Sequence, residues 1–139
     1  MTKREIAIQV LRSAFAILIG ELALIAGTWF VQEQIFGHVT FSDGVPKLVG
    51  AGLLTPLAAV GAGFAVAGIA GMRPYLHLIP MCALIVVETG FLYSRGLVEG
   101  PLWFEAGAGL SLIIGALVGA YLWRVILAAT HVKHRSETA

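Results

Sequence analysis

The sequence predicts an all-α integral membrane protein in which four transmembrane helices form an antiparallel bundle with short loops. Of the 139 residues, 58% are hydrophobic and only 12% are charged, and the mean hydropathy is +0.89. An average soluble domain is far less apolar and carries about twice the charge. The apolar residues form four segments of roughly 20 residues, each long enough to cross a bilayer core. We therefore expect one membrane domain over residues 1–139 and no separate soluble domain.

The composition also argues against several classes of function. The formal net charge is +1, and the basic residues are not gathered on one surface, so we expect no nucleic-acid partner. The single cysteine, Cys82, lies inside an apolar segment and leaves no disulfide, CxxC pair or thiolate cluster. Neither the four histidines nor any motif has the spacing of a haem, zinc or phosphate site. We therefore expect no metal and no cofactor.

The first span is predicted over about residues 13–31. Basic residues in 1–12 favour an interfacial extension of the helix, and Trp29 and Phe30 form an aromatic anchor at the far end. A basic start and an apolar run also describe a signal peptide. We prefer a retained span because the run is long, contains Glu21 and offers no convincing A-x-A cleavage site.

The second span is predicted over about 49–70, after a loop over 32–48 with turn-forming residues. It consists almost entirely of Gly, Ala, Leu and Val, and Pro56 near its start removes one backbone hydrogen bond. Small residues allow helices to approach closely, so Gly61 and Gly63 are candidate packing positions. This helix is expected at the centre of the bundle or at an oligomer seam.

The third span is predicted over about 75–94, directly after a tight turn that permits only an antiparallel hairpin. Glu88 lies inside it. An ionisable residue within a membrane span is costly and is therefore a functional candidate by default.

The fourth span is predicted over about 103–128, after a short connection over 95–101. Gly115 and Gly119 are spaced for close helix packing. The remaining residues, 129–139, are expected to form a polar cytoplasmic tail that is too short to fold alone.

The distribution of Lys and Arg predicts that both termini face the cytoplasm. That orientation places most basic residues inside the cell and leaves only two outside. The inner set is Lys3, Arg4, Arg12, Arg73, Arg124, Lys133 and Arg135, and the outer set is Lys47 and Arg95. The sequence contains no Asn and hence no N-glycosylation site, which fits a multi-pass protein of a bacterial inner membrane.

Glu21 and Glu88 are the strongest functional candidates. Counting along the predicted helices places Glu21 about 13.5 Å and Glu88 about 19.5 Å from the cytoplasmic side, so their depths differ by about 6 Å. The two carboxylates are therefore able to face each other if the first and third helices are neighbours. A carboxyl group at such depth that takes up and releases a proton is what coupled transport requires.

Polar residues near these carboxylates allow two interpretations. His77, Glu88 and Arg95 fall on one stripe of the third helix, which favours a proton or ion relay with a polar group at each mouth. In the alternative, the two end residues anchor the helix at the interfaces, and Glu88 forms a hydrogen bond with a hydroxyl such as that of Thr28 or Ser111. Thr28 also lies on the same face of the first helix as Glu21.

The leading functional hypothesis is proton-linked movement of a small solute, with Glu88 and Glu21 as the titrating groups. The alternative is a non-catalytic accessory or assembly subunit whose polar membrane residues bind partner helices. Beyond the lipid bilayer, we expect a homo-oligomer formed through the small faces of the second and fourth helices, or a partner subunit. A lipid-modifying enzyme is disfavoured because no nucleophile or oxyanion site accompanies Glu88. In length and span number alone, the chain is similar to small proton-coupled multidrug exporters, and this similarity assigns no residue a role.

Overall fold

A computed structural model describes residues 2–71, 74–98 and 100–136, and every regular element in them is helical. The elements are α1 (Lys3–Trp29), a π-helical segment (Phe30–Ile35) that extends α1, α2 (Val45–Ala70), α3 (Pro74–Ser94) and α4 (Leu102–Ser136). All four α-helices are long and apolar enough to cross a membrane. The predicted fold class, a four-helix membrane bundle, is thereby confirmed.

Helix α1 begins ten residues before the predicted span because its first turn is capped. The Thr2 hydroxyl accepts a hydrogen bond from the Glu5 amide at 3.3 Å, and the Glu5 carboxylate accepts one from the Thr2 amide at 2.7 Å. This reciprocal pair satisfies two donors that a helix start otherwise leaves free. The 27 residues of α1 extend about 40 Å, so the basic first turns project beyond a hydrocarbon core of about 30 Å.

Helix α4 also exceeds its predicted range. Its backbone is helical to Ser136, eight residues beyond the predicted end of the span. No Gly or Pro follows Gly119 within the helix, so no residue there breaks the backbone pattern. The segment predicted as a polar tail is therefore largely a continuation of α4.

The helices follow the order α1, α2, α4, α3 around the bundle. Helix α2 packs most extensively on α4 and next on α1, and α3 contacts α4, α2 and α1. Among the described residues α1 and α4 do not contact each other. One diagonal of the bundle is thus closed by α2 and α3, and the other diagonal is open.

Backbone contact between α2 and α4 closes the centre of the bundle. A Cβ atom added to Gly63 would collide with the Ala116 carbonyl, and one added to Gly119 would collide with the Val60 carbonyl. On Gly115 it would lie 2.6 Å from a carbonyl oxygen of α2. These glycines therefore permit an approach that no side chain would allow.

Gly61, the fourth glycine predicted to pack, does not contact another helix. A Cβ added to Gly61 would have no atom within 4 Å, so Gly61 takes no part in packing within one chain. Two glycines outside the predicted set pack α1 against α2 instead. Gly20 lies against Val66, and an added Cβ on Gly27 would lie 2.6 Å from Ala58 Cβ.

Candidate functional site

A cavity of about 600 Å³ opens at the end of the bundle that holds the connections 36–44 and 95–101, hereafter the distal end. It occupies the space between α1 and α4, where the open diagonal leaves the helices unpaired. Residues of α1, its π-helical extension, both connections, α2 and α4 line it. Its polar side chains are Thr28, Gln32, His38, Thr40, Thr55, Glu105 and Ser111. We call it the distal cavity.

A lateral groove of about 370 Å³ adjoins the distal cavity between α1, α3 and α4. Thr28, Gln32 and Glu105 line both spaces, so the two are direct neighbours. Glu33 and Glu88 line the groove only. The predicted candidate Glu88 thus lines a groove beside a space of solute size.

The distal cavity presents hydrogen-bonding groups that the chain does not satisfy. Thr55 is only 8% exposed, and its Oγ1 atom has no hydrogen-bond partner. The Oγ1 atom of Thr28 is likewise buried and unpartnered. Pro56 lacks an N–H group, so the carbonyl of Gly52, which also lines the cavity, lacks its usual helical donor. A buried polar group without a partner is costly, which makes this cluster unusual in a folded chain.

The π-helical segment shapes the α1 side of both spaces. It contains Gln32, which lines the cavity and the groove, and Glu33, which lines the groove. The His38 amide donates to the Gln32 carbonyl at 2.9 Å, and His38 Nδ1 lies 2.7 Å from the Glu33 carboxylate. Segments of π-helix are rare and occur often at functional sites. No sequence pattern had indicated this one.

The first connection folds back over the distal cavity. The Phe41 ring makes edge contacts with Trp103 and Phe104 at centroid distances of 6.0 and 5.2 Å. The Lys47 ammonium group donates to the His38 carbonyl at 2.6 Å. These contacts fix the loop against the start of α4, and they give the cavity an aromatic side.

Glu21 lies deeper in the bundle, next to the inner end of the groove. It is half-buried, its Oε1 atom is buried without a hydrogen-bond partner, and it interacts electrostatically with Glu88. It lines neither the cavity nor the groove, because the groove ends at Leu24, a 4% exposed residue three positions further along α1. The two carboxylates that the depth estimate paired thus lie within range of an electrostatic interaction.

Glu88 itself lies on the surface of the bundle. The buried face of α3 consists of Leu78, Met81 and Ile85, and Glu88 is displaced by about 60° from that face at 100° per residue. Its side chain is exposed. Within the described residues no hydrogen bond reaches its carboxylate, and the Ser111 hydroxyl donates to a carbonyl of its own helix. The hydrogen bond considered in the structural alternative is therefore not formed.

The other members of the predicted stripe lie far from Glu88. His77 Nε2 is 2.8 Å from the Ser13 hydroxyl of α1, about 16 Å along α3 from Glu88. Arg95 is exposed and lies over the Phe91 ring, 5.3 Å from its centroid. Neither residue adjoins Glu88, whereas Thr28 lines both the cavity and the groove.

Comparison with protein-family models, with curated proteins and with solved structures finds no match. The function is therefore inferred from the residues of the cavity, the groove and the two carboxylates.

Proposed function

We propose that the protein moves a small solute across the membrane in exchange for, or together with, protons that bind Glu21 and Glu88. One observation carries this proposal. A half-buried carboxyl group with an unpartnered oxygen interacts with a second carboxylate, and the second lines a groove that shares Thr28, Gln32 and Glu105 with a cavity of solute size. Titratable groups next to such a space are the usual components of a coupling site.

Proton binding and solute binding are coupled through charge. Two carboxylates that interact in a medium of low dielectric resist ionising together, so a proton bound at one changes the state of the other. The groove shares Thr28, Gln32 and Glu105 with the distal cavity. A change of charge at Glu88 therefore alters the field at the solute position.

The distribution of basic residues supports an orientation with both termini in the cytoplasm. The distal cavity then opens to the outside. Glu88 faces the groove that leads from this opening, and Glu21 lies beyond it toward the cytoplasm. This order suits a proton that enters from the outer face.

An infrared pH titration of the reconstituted protein tests the proposal without knowledge of the solute. We expect a protonated carboxyl C=O band that titrates in an accessible pH range, and we expect Glu21→Gln or Glu88→Gln to remove part of it. Both variants should retain the helical content of the wild type. If neither variant changes the band, or if no carboxyl titrates, the coupling role of these residues is refuted.

A second candidate function, that of an accessory subunit, is favoured by the exposure of Glu88. Val87 and Phe91 beside it are also exposed, and a carboxylate that faces acyl chains is costly unless a partner helix supplies a donor. If this function is the correct one, Glu88→Gln should weaken the complex with the partner subunit. It should not change solute flux, because an accessory subunit carries none.

We also propose a homo-oligomer, but the contacts within one chain limit the surfaces of the second and fourth helices that are able to form it. Gly63, Gly115 and Gly119 already make contacts within one chain. A second copy would therefore have to approach α2 through the open face at Gly61.

A further inference from the structure

We propose that the distal cavity binds a small protonated organic amine, that is, an ammonium ion that retains N–H donors. The inference rests on the proposed function, since it names the class of solute for the same site. It depends on three properties of the cavity: its charge, its unsatisfied acceptors and its aromatic side.

The charge of the lining favours a cation. Glu105 lines both the cavity and the groove, and within the described part of the chain no hydrogen bond or ion pair reaches its carboxylate. No Lys or Arg occurs among the described residues that line either space. His38 is held by Glu33. A concave site lined by one sign of charge concentrates ions of the opposite sign.

The unsatisfied groups favour a cation with N–H donors over one without them. The hydroxyl oxygens of Thr55 and Thr28 and the carbonyl of Gly52 are all able to accept hydrogen bonds. Thr55 is decisive, because its hydroxyl is more than nine-tenths buried, has no partner and lines the cavity. An ammonium group offers up to three donors, whereas a quaternary ammonium ion offers none.

The size and the aromatic side favour an organic ion over a metal. The volume of about 600 Å³ falls within the range of small-molecule sites, about 300–1,000 Å³. Phe41, Trp103 and Phe104 supply apolar surface. Among the described residues, no three His, Cys, Asp or Glu side chains converge as metal ligands.

Calorimetric titration of the purified protein with four probes that share a phenyl ring tests the inference. The probes are benzylamine, benzyl alcohol, benzoate and benzyltrimethylammonium at neutral pH, with no proton gradient. We expect benzylamine to bind most tightly. Glu105→Gln should weaken benzylamine binding about tenfold to hundredfold, as expected for the loss of a charge-assisted hydrogen bond.

Two further variants separate the donor effect from general effects. Thr55→Val preserves the shape of the side chain and should weaken benzylamine about twofold to tenfold while leaving benzyltrimethylammonium unchanged. Glu5→Gln removes the same charge at the opposite end of the bundle, retains the capping pattern and should leave binding unchanged. Circular dichroism and gel filtration verify that each variant is folded.

Each outcome decides the matter. The inference is overturned if benzyl alcohol, benzoate or benzyltrimethylammonium binds as tightly as benzylamine, if no probe binds, or if folded Glu105→Gln binds like the wild type. Amine binding without proton-linked flux in vesicles supports the inference and refutes the proposed function. Proton-linked flux of another solute without amine binding supports the proposed function and refutes the inference.

Discussion

Asp43 is the carboxylate whose surroundings stabilise its charge most clearly. The backbone N–H of Thr40 and then the Lys47 ammonium group lower the pKa of Asp43 below its usual value. The distances are 2.7 Å from the Thr40 nitrogen and 3.1 Å from Lys47 Nζ. Because Lys47 also binds the backbone at His38, these contacts fix the loop that folds over the distal cavity.

Replacing Asp43 with Asn should lower the melting temperature in a pH-dependent manner. A carboxylate with a lowered folded-state pKa stabilises the fold above its unfolded pKa of about 3.9 and ceases to do so as the pH falls through its folded value. We therefore expect the difference from the wild type to be present at pH 6 and to disappear in strong acid.

Ser42→Ala is the matched control for this titration. It removes the 2.9 Å hydrogen bond between the Ser42 and Thr40 hydroxyls in the same loop, but it removes no titratable group. Its effect on the melting temperature should not vary with pH between 3 and 6. An equal pH dependence in both variants would contradict the assigned role of Asp43.

The sequence indicated some residues of the candidate site and not others. Glu21, Glu88 and Thr28 were recognisable because a polar residue in an apolar run is conspicuous. Thr55 was not, because a hydroxyl inside a helix can form a hydrogen bond with the backbone of the preceding turn. Glu105 was not, because acidic residues are ordinary in the first turn of a helix. Both residues are significant because they line the distal cavity. The cavity exists because the helices diverge at that end, and the sequence does not show how the helices are arranged.

At the scale of single elements, two glycines of α2 provide a test of the seam with α4. An added Cβ on Gly63 would collide with Ala116, and on Gly61 it would have no neighbour within 4 Å. We expect Gly63→Ala to destabilise the protein by about 1–3 kcal/mol through overpacking. Gly61→Ala should instead stabilise it by about 0.5–1 kcal/mol, because alanine is the better helix former.

Reversible unfolding in mixed micelles, followed by circular dichroism, measures both substitutions under the same conditions. Both residues lie in α2, and the substitution is the same. Helix propensity therefore contributes equally to the two changes in unfolding free energy. Destabilisation by Gly61→Ala would show that this face is covered by a second copy or a partner. A neutral effect of Gly63→Ala would contradict the backbone contact.

The sequence predicted the existence of each helix more reliably than its limits. The apolar runs identify the spans because the bilayer requires a minimum length. The early start of α1 was available in principle, since Thr2 and Glu5 have the spacing of a capping box. The π-helical segment was not, because no sequence pattern specifies bonds such as the one from the Phe36 amide to the Val31 carbonyl, five residues back.

At the scale of the whole molecule, the proposed orientation is open to a direct test. We expect a cysteine at Ser42, in a chain whose Cys82 is replaced by Ser, to react with a membrane-impermeant maleimide on intact cells. A cysteine at Thr2 in the same background should react only after the membrane is permeabilised. The reverse pattern would place the distal cavity in the cytoplasm and would contradict the proposed direction of proton entry.

The order of the helices around the bundle was not predictable from this sequence. Hydropathy identifies which segments lie in the membrane, but several arrangements of four similar helices satisfy it equally well. The observed order depends on which small residues meet, as at Gly63 and Gly119 against α4 and α2. The sequence showed which positions allow two helices to approach closely. It did not show which helix packs against each of those positions.

The unequal packing of the helices has a mechanical consequence. Helices α2 and α4 meet through their backbones, so that pair is stiff. Of the α-helix pairs that touch, α1 and α3 contact each other least, and these two helices carry Glu21 and Glu88. A change in the charge of either carboxylate would therefore act between the two helices that contact each other least.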